Sequence, residues 1–266
     1  MVPEVLAAID ARPARARLVV LSDFDGTLAS FDVDPTAPRL SDETRHALET
    51  LAARRDVTVG LVSGRRVDDL DRRTRLPPHI YLAGLHGLEI RHGEVAWRHP
   101  DLVESRELAD QVADAINEAV RSIPGVKLEH KGVSVTVHVR AVEMARRQDA
   151  LRAAMEAART WVDSGGLKSL DASEAVEFLP NISWTKGDAV RWIVEDIETR
   201  AQQPAWCVFF GDDVTDEDAF RAVQRGLTVV VGQRPSLARL RLNSPADVVA
   251  VLAHVNNNGH GREHRG

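Results

Sequence analysis

Cysteine is almost absent: Cys207 stands alone among 266 residues, so no internal disulfide can form and a reducing, cytoplasmic setting is expected. Lysine is nearly as scarce. Of 34 basic residues only Lys127, Lys131, Lys168 and Lys186 are lysines, so each one stands out against a background of arginine. Positive charge is not in excess either, since the formal net charge is −6, and the chain offers no basic footprint for nucleic acid. No apolar run reaches the length of a membrane span. Met1-Val2-Pro3-Glu4 lacks the basic flank and apolar core of a secretory leader, so no membrane association is expected. What remains is a globular composition, 44% hydrophobic and 28% charged, long enough for one large or two modest domains. Cys207, inside the strand-like Trp206-Cys207-Val208-Phe209-Phe210, reads as a small core residue.

The chain is organised around Leu18-Val19-Val20-Leu21-Ser22-Asp23-Phe24-Asp25-Gly26-Thr27-Leu28. Its apolar run reads as a buried strand that stops at two carboxylates. In an open parallel sheet a site lies beyond the carboxyl ends of the strands. Asp23 and Asp25 would share one side of the strand and repel, unless a hard cation such as Mg²⁺ sits between them. Taken alone the stretch is an Asx-rich turn; three further segments supply the parts that a turn would not need. They are Ser63-Gly64-Arg65, Lys186-Gly187 and Gly211-Asp212-Asp213-Val214-Thr215-Asp216-Glu217. Together the four segments provide a carboxylate nucleophile, a second carboxylate, a hydroxyl, a cation and an acidic loop, which is the inventory of phosphoryl transfer.

Pattern and punctuation place these segments. A short amphipathic helix is expected at 3–11, then the first strand, then a flap-like loop with Asp32, Asp34, Pro35 and Pro38. Ser41 caps a helix through about Arg55, Val57–Val62 is a second strand, a helix carries Val67 and Leu70, and Ile80–Ala83 is a third strand. This alternation predicts an α/β fold with a doubly wound parallel sheet. The pattern changes near His99-Pro100: a helix over about 101–122, an alternating strand through Val133–Val139, a helix over 143–161 and strands at 167–171 and 174–179. That order predicts a smaller α+β cap domain over 100–182, inserted into a discontinuous core of 1–99 and 183–255. The core resumes with a helix from Lys186 to about Thr199, the strand 206–210, a helix near 215–225, the strand 227–231 and a closing helix over Ser244–Val255. The tail 256–266 is expected to be disordered.

Individual residues admit two readings. Lys186, at the start of a helix whose dipole disfavours a cation, is either a solvated lysine or one held by an anion and carboxylates. Ser63 can be an N-cap, a phosphate cradle or both. Asp212, first after its strand, is the candidate metal ligand, whereas Asp216, Glu217 and Asp218 suit the first turn of the next helix. Lys131-Gly132 fits a tight turn between strands. His138 and Arg140 lie on the polar face of a strand that looks either at substrate or at solvent.

The four core motifs, in this order, resemble those of the haloacid dehalogenase superfamily of phosphohydrolases, and the insertion resembles its C2-type cap. More narrowly, Gly84-Leu85-His86-Gly87-Leu88-Glu89, Glu129-His130-Lys131-Gly132, His138-Val139-Arg140, Glu177 before Leu-Pro, and Gly211 to Phe220 resemble the trehalose-6-phosphate phosphatase family. The resemblance covers about Leu18 to Leu252; His130 departs from it, standing where the family more often has an acidic residue. It implies a Rossmann-like core and hydrolysis of trehalose 6-phosphate, the last step of trehalose synthesis, through an aspartyl-phosphate. It implies Asp23 as nucleophile and Asp25 as general acid and then base. Mg²⁺ would be held by the Asp23 side chain, the Asp25 carbonyl and Asp212. Ser63 and Lys186 would hold the phosphate, within a substrate site that also takes in Gly26, Gly64, Arg65 and His86. Asp213 and Asp216 would support the metal or orient Lys186, and Glu129, Lys131 and Glu177 would grip the sugar, with His138 and Arg140 beside them. A capped phosphatase for sucrose 6-phosphate or mannosyl-3-phosphoglycerate would share the core and differ in the cap. A silent phosphosugar-sensing or synthase-binding module would be expected to lose Asp23 or Asp25, and both are present. Whether a trehalose-phosphate synthase is a partner stays open.

Overall fold

Along Leu18-Val19-Val20-Leu21, alternate side chains enter two different cores, Leu18 and Val20 one, Val19 and Leu21 the other. A strand buried on both faces must have helices on both sides, which is why this segment reads as an uninterrupted apolar run. The structure, a computed structural model, describes residues 1–30, 38–102, 105–172 and 174–259. It divides into two compact units. One is Arg98–Ser183; the other comprises the described residues up to Trp97 and from Trp184 onward.

The larger unit begins with α1 (Val2–Asp10), β1 (Arg17–Ser22), α2 (Asp42–Ala52), β2 (Val57–Val62), α3 (Val67–Thr74) and β3 (Tyr81–Gly84). Ser41 caps α2 by accepting the Thr44 amide at 3.0 Å. Two strands unmarked by any strong pattern follow, β4 (Glu89–His92) and β5 (Val95–Arg98), joined through Gly93 at φ +60°. The smaller unit comprises α4 (Ser105–Val120), β6 (Lys127–His130), β7 (Val135–His138), α5 (Met144–Asp163), β8 (Leu167–Ala172) and β9 (Ala175–Pro180). The chain then returns as α6 (Lys186–Ala201), β10 (Ala205–Gly211), α7 (Asp216–Ala222), β11 (Gly226–Val231), β12 (Leu240–Leu242) and α8 (Pro245–Gly259).

The larger sheet has the order β12-β11-β10-β1-β2-β3-β4-β5. Its strands from β12 to β3 are parallel, and β4 runs antiparallel to β3. The smaller sheet is antiparallel, β6-β7-β9-β8, with Val112, Ile116 and Val120 of α4 and Ala150, Ala154 and Ala158 of α5 packed on Val135 and Val137. Cys207 is buried in β10, and desolvation pushes its thiol up to about 12, the behaviour of an inert core residue.

Several expectations are corrected. Strands β4, β5 and β12 escape a sequence reading because they are three or four residues long and lack the apolar run that marks the equally short β3. The closing helix runs on to Gly259, into the tail expected to lack structure; the rest of that tail, and the flap expected at Asp32, Asp34 and Pro35, lie outside the described residues. Among the described residues no helix is long and apolar enough to cross a membrane.

Candidate active site

Parallel pairing decides what meets at the site. Ser22, the last residue of β1, lies level with Leu61 of β2 and Phe210 of β10. The segments that follow, beginning at Asp23, Ser63 and Asp212, therefore leave the same edge of the sheet at its centre. The Asp23 amide donates to the Phe210 carbonyl at 2.8 Å, which ties the first of them to its neighbour strand.

Lys186 joins them. Its Nζ donates to Asp23 Oδ1 at 2.7 Å and to Asp216 Oδ1 at 2.8 Å, and its side chain is 3% exposed. The position is set by a capping box at the start of α6: Thr185 accepts the Gly187 amide at 3.2 Å, and Asp188 accepts the Thr185 amide at 2.8 Å. The helix dipole disfavours a cation here by about 0.3–1 kcal/mol, which two buried carboxylates outweigh. Desolvation opposes the Lys186 charge, yet Asp216 and Asp23 raise its pKa, so it stays protonated. Asp23 is also raised: burial pushes its carboxyl well above the usual range, and Lys186 only partly offsets this.

Asp23, Asp212 and Asp216 each bring a carboxylate oxygen to within 4.8 Å of the others. Burial, with Asp216 adding, pushes the Asp212 carboxyl up to about 7 even though Thr27 donates to its Oδ1 at 2.9 Å. Three carboxylates against one lysine leave the cluster short of positive charge. Hard oxygen donors with that deficit fit a divalent cation such as Mg²⁺.

Asp25 lies elsewhere than the strand pattern implies. β1 ends at Ser22, and the Asp25 carboxylate is held by Arg65, from Nε at 2.6 Å and Nη2 at 2.7 Å, rather than lying beside Asp23 in the acidic cluster. Gly26 follows at φ +83°, a left-handed turn that glycine enters without strain. Ser63 is not the cap of α3 either. Its hydroxyl accepts the Arg65 amide at 3.2 Å, and it is Glu89, from the edge of β4, that accepts the Val67 amide at 2.6 Å. This explains the Gly84–Glu89 motif physically. Leu85 and His86 sit at φ 51° and 58°, their amides donate to the Arg65 and Ser63 carbonyls at 2.8 and 2.9 Å, and the His86 ring packs on Gly64. The motif braces the Ser63 loop.

The acidic loop is held from two sides. Asp216 Oδ2 accepts the amides of Asp212 and Asp213, each at 2.9 Å, while Asp213 turns its own carboxylate to the Val214 amide at 2.7 Å. Arg234, which no motif singles out among so many arginines, donates to the Asp212 carbonyl at 2.6 Å, to the Asp213 carbonyl at 2.5 Å and to Glu217. Gly211 leaves room for Asp216, since a Cβ there would lie 2.4 Å from the Asp216 carboxyl carbon. Gly211→Ala is therefore expected to lower stability by about 1–3 kcal/mol, seen as a drop in the urea midpoint, together with turnover. An unchanged midpoint would contradict the close packing.

In the smaller unit, Glu129, Thr136 and Glu177 lie in register across β6, β7 and β9, on one face of the sheet. Glu177 Oε1 accepts from Lys131 at 3.0 Å and Ser134 at 2.8 Å, and Glu129 Oε2 lies 2.9 Å from His138 Nε2. Lys131-Gly132 forms the hairpin turn, with Gly132 at φ +85°. Arg140 instead pairs with Glu174 at 2.6 Å, in a network that includes Arg147, and these arginines hold the Glu174 carboxyl below the usual range.

The family model described as Trehalose-phosphatase matches residues 21–246. The trehalose-phosphate phosphatase of Mycobacterium ulcerans is 34% identical over 239 residues, covering 87% of this chain and 60% of its own length. The chain thus spans about 60% of the length of that curated relative. Among solved structures, the C-terminal domain of the C. albicans trehalose-6-phosphate phosphatase superposes with a TM-score of 0.82 at 22% identity, over 96% of each chain. The Aspergillus fumigatus trehalose-6-phosphate phosphatase does so with a TM-score of 0.62 at 27% identity, over 97% of this chain and 98% of that one.

Proposed function

The chain belongs to the trehalose-phosphatase family, and from that premise we propose that it hydrolyses trehalose 6-phosphate to trehalose and inorganic phosphate. The observation that carries the phosphatase reading is buried Lys186, bonded at once to Asp23 and Asp216 where three parallel strands end. Lys186 holds Asp23 Oδ1 and leaves Oδ2 for the phosphorus. Attack by Oδ2 breaks the bond from phosphorus to the sugar oxygen, and that oxygen leaves with a proton from Asp25. Asp25 then takes a proton from water as the water attacks phosphorus, releasing phosphate and restoring the Asp23 carboxylate. Ser63 and Lys186 supply donors to the phosphate oxygens throughout.

Mg²⁺ would be held by the carboxylates of Asp23 and Asp212, with Asp216 behind them and the Asp25 carbonyl as a further oxygen. Bound there, it would screen the negative charge that a phosphate brings to a carboxylate. The polar sheet face of the smaller unit would read the sugar, since charged groups make strong hydrogen bonds to a ring of hydroxyls. Glu129, Lys131, His138 and Glu177 would exchange their bonds with one another for bonds to those hydroxyls.

Phosphate release should be greatest with trehalose 6-phosphate in a panel that includes sucrose 6-phosphate, mannosyl-3-phosphoglycerate and glucose 6-phosphate. A clear preference for another sugar phosphate would overturn the substrate. Lys131→Ala or Glu177→Ala is expected to lower kcat/KM for trehalose 6-phosphate by roughly ten- to a hundred-fold. Hydrolysis of p-nitrophenyl phosphate, which has no sugar to read, should change little. Equal losses on both would make these residues structural.

A further inference from the structure

Asp25 is held by a chain of charged groups that starts in the loop before α3 and continues onto that helix. The Arg65 guanidinium grips both oxygens of Asp25 and donates from Nη1 to Asp69 Oδ2 at 3.1 Å. Asp69 accepts on that same oxygen from Arg73 Nε at 2.6 Å, and on Oδ1 from Arg72 at 3.3 Å. Arg73 is anchored in turn by donating to the Pro38 carbonyl at 3.0 Å. The Phe24 ring lies 5.7 Å from the guanidinium carbon of Arg65. Asp69 and Arg73 stand one turn apart on α3, the spacing that stacks side chains on one helix face, and Arg65 reaches Asp69 from the loop just before the helix. The side chains of Arg65 and Arg73 are each 8% exposed and those of Asp25 and Asp69 25% and 22%, so these links are half-buried, while Arg72 lies outside at 70%.

The geometry does more than neutralise charge. A carboxylate on a loop has two free torsions, and proton transfer tolerates little error in its aim. The fork from Arg65 fixes the plane of the Asp25 carboxylate. A fork can do this only if its own plane is fixed, and the third bond, to Asp69, fixes it. We propose that Arg65 and Asp69 are positioning residues of the reaction: Arg65 aims Asp25, and Asp69, anchored by Arg73, sets the plane of Arg65. Arg65 thereby acts through Asp25 rather than on the phosphate. This rests on the acid–base role given to Asp25 above.

The test is a double-mutant cycle on the full chain, read in single turnover with two phosphate esters. One is the sugar phosphate that the wild type hydrolyses fastest, whose leaving oxygen needs a proton. The other is p-nitrophenyl phosphate, whose leaving group does not. Arg65→Ala should slow phosphorylation by the sugar ester roughly ten- to a hundred-fold and by the aryl ester less than about three-fold. Asp69→Asn, nearly isosteric and not in contact with Asp25, should show the same split at about three- to ten-fold, and Arg65→Lys should recover part of the loss. In an Asp25→Asn background, Arg65→Ala should cost no more than about three-fold. Equal losses on both esters, or a full additional loss over Asp25→Asn, would overturn the proposal. Failure of the acid–base reading is seen separately, as Asp25→Asn itself showing no split. If Arg65→Ala does not fold, Asp69→Asn carries both arms of the cycle.

Discussion

Replacing Asp23 by Asn is expected to reduce turnover by roughly four or more orders of magnitude while leaving the fold intact. Asn keeps an oxygen for Lys186 but has no carboxylate to attack phosphorus. The same substitution bears on stability with a definite sign. Burial raises the Asp23 pKa in the folded chain, so the folded state binds a proton more readily than the unfolded one. In metal-free buffer that makes ionisation of Asp23 a cost that grows as pH rises above the ordinary aspartate value of about 3.9. Asp212, pushed up to about 7, adds a cost of the same sign up to that pH. With EDTA present, Asp23→Asn should therefore match the wild type in urea midpoint at low pH and exceed it as the pH approaches neutrality. Near-normal turnover by this variant would remove the covalent mechanism. A midpoint advantage that shrank with rising pH would show that the carboxylate is not buried against its charge.

The second large effect is expected at Lys186. Lys186→Met removes the cation from between two carboxylates whose side chains are 5% and 0% exposed. Breaking a buried pair from one side costs about 3–5 kcal/mol, because the remaining charges have no partner. Turnover should fall by roughly 10³-fold or more, since the nucleophile loses its orientation and the phosphate a donor. Lys186→Arg should not restore it: a planar fork cannot take the place of a point charge enclosed by Asp23 and Asp216. Activity within ten-fold of wild type for Lys186→Met, in protein shown to be folded by urea titration, would exclude this lysine from the reaction.

Most of this architecture was legible in the chain for a physical reason. Strands buried on both faces need continuous apolar runs, so β1, β2, β10 and β11 declare themselves, and the carboxylates that end those runs must lie at the sheet's carboxyl edge. The helix–strand order of 98–183 was equally readable, because α4 and α5 carry long periodic stripes and β7 alternates. The strands β4, β5 and β12, at the two margins of the sheet, were not, being short and lacking the apolar run that marks the equally short β3.

At the site, residue types could be read from the sequence but pairings could not. Asp23, Asp212 and Lys186 stand out by motif, yet that Lys186 bridges Asp23 and Asp216 depends on contacts across 163 and 30 residues of chain. Asp25 seemed paired with Asp23 by strand period; the strand stops one residue earlier, and Arg65, 40 residues on, takes its carboxylate instead. Arg234 and Asp69 carry no local signal, because an arginine among many and an aspartate on a polar helix face look like solvated surface until folding encloses them. Local sequence determined which groups this protein has and on which strand ends they stand, because hydrophobic periodicity and turn chemistry act over a few residues. Which charge meets which was decided by the parallel register of β2, β1 and β10, since the desolvation that makes those charges consequential arises only when distant segments close over them.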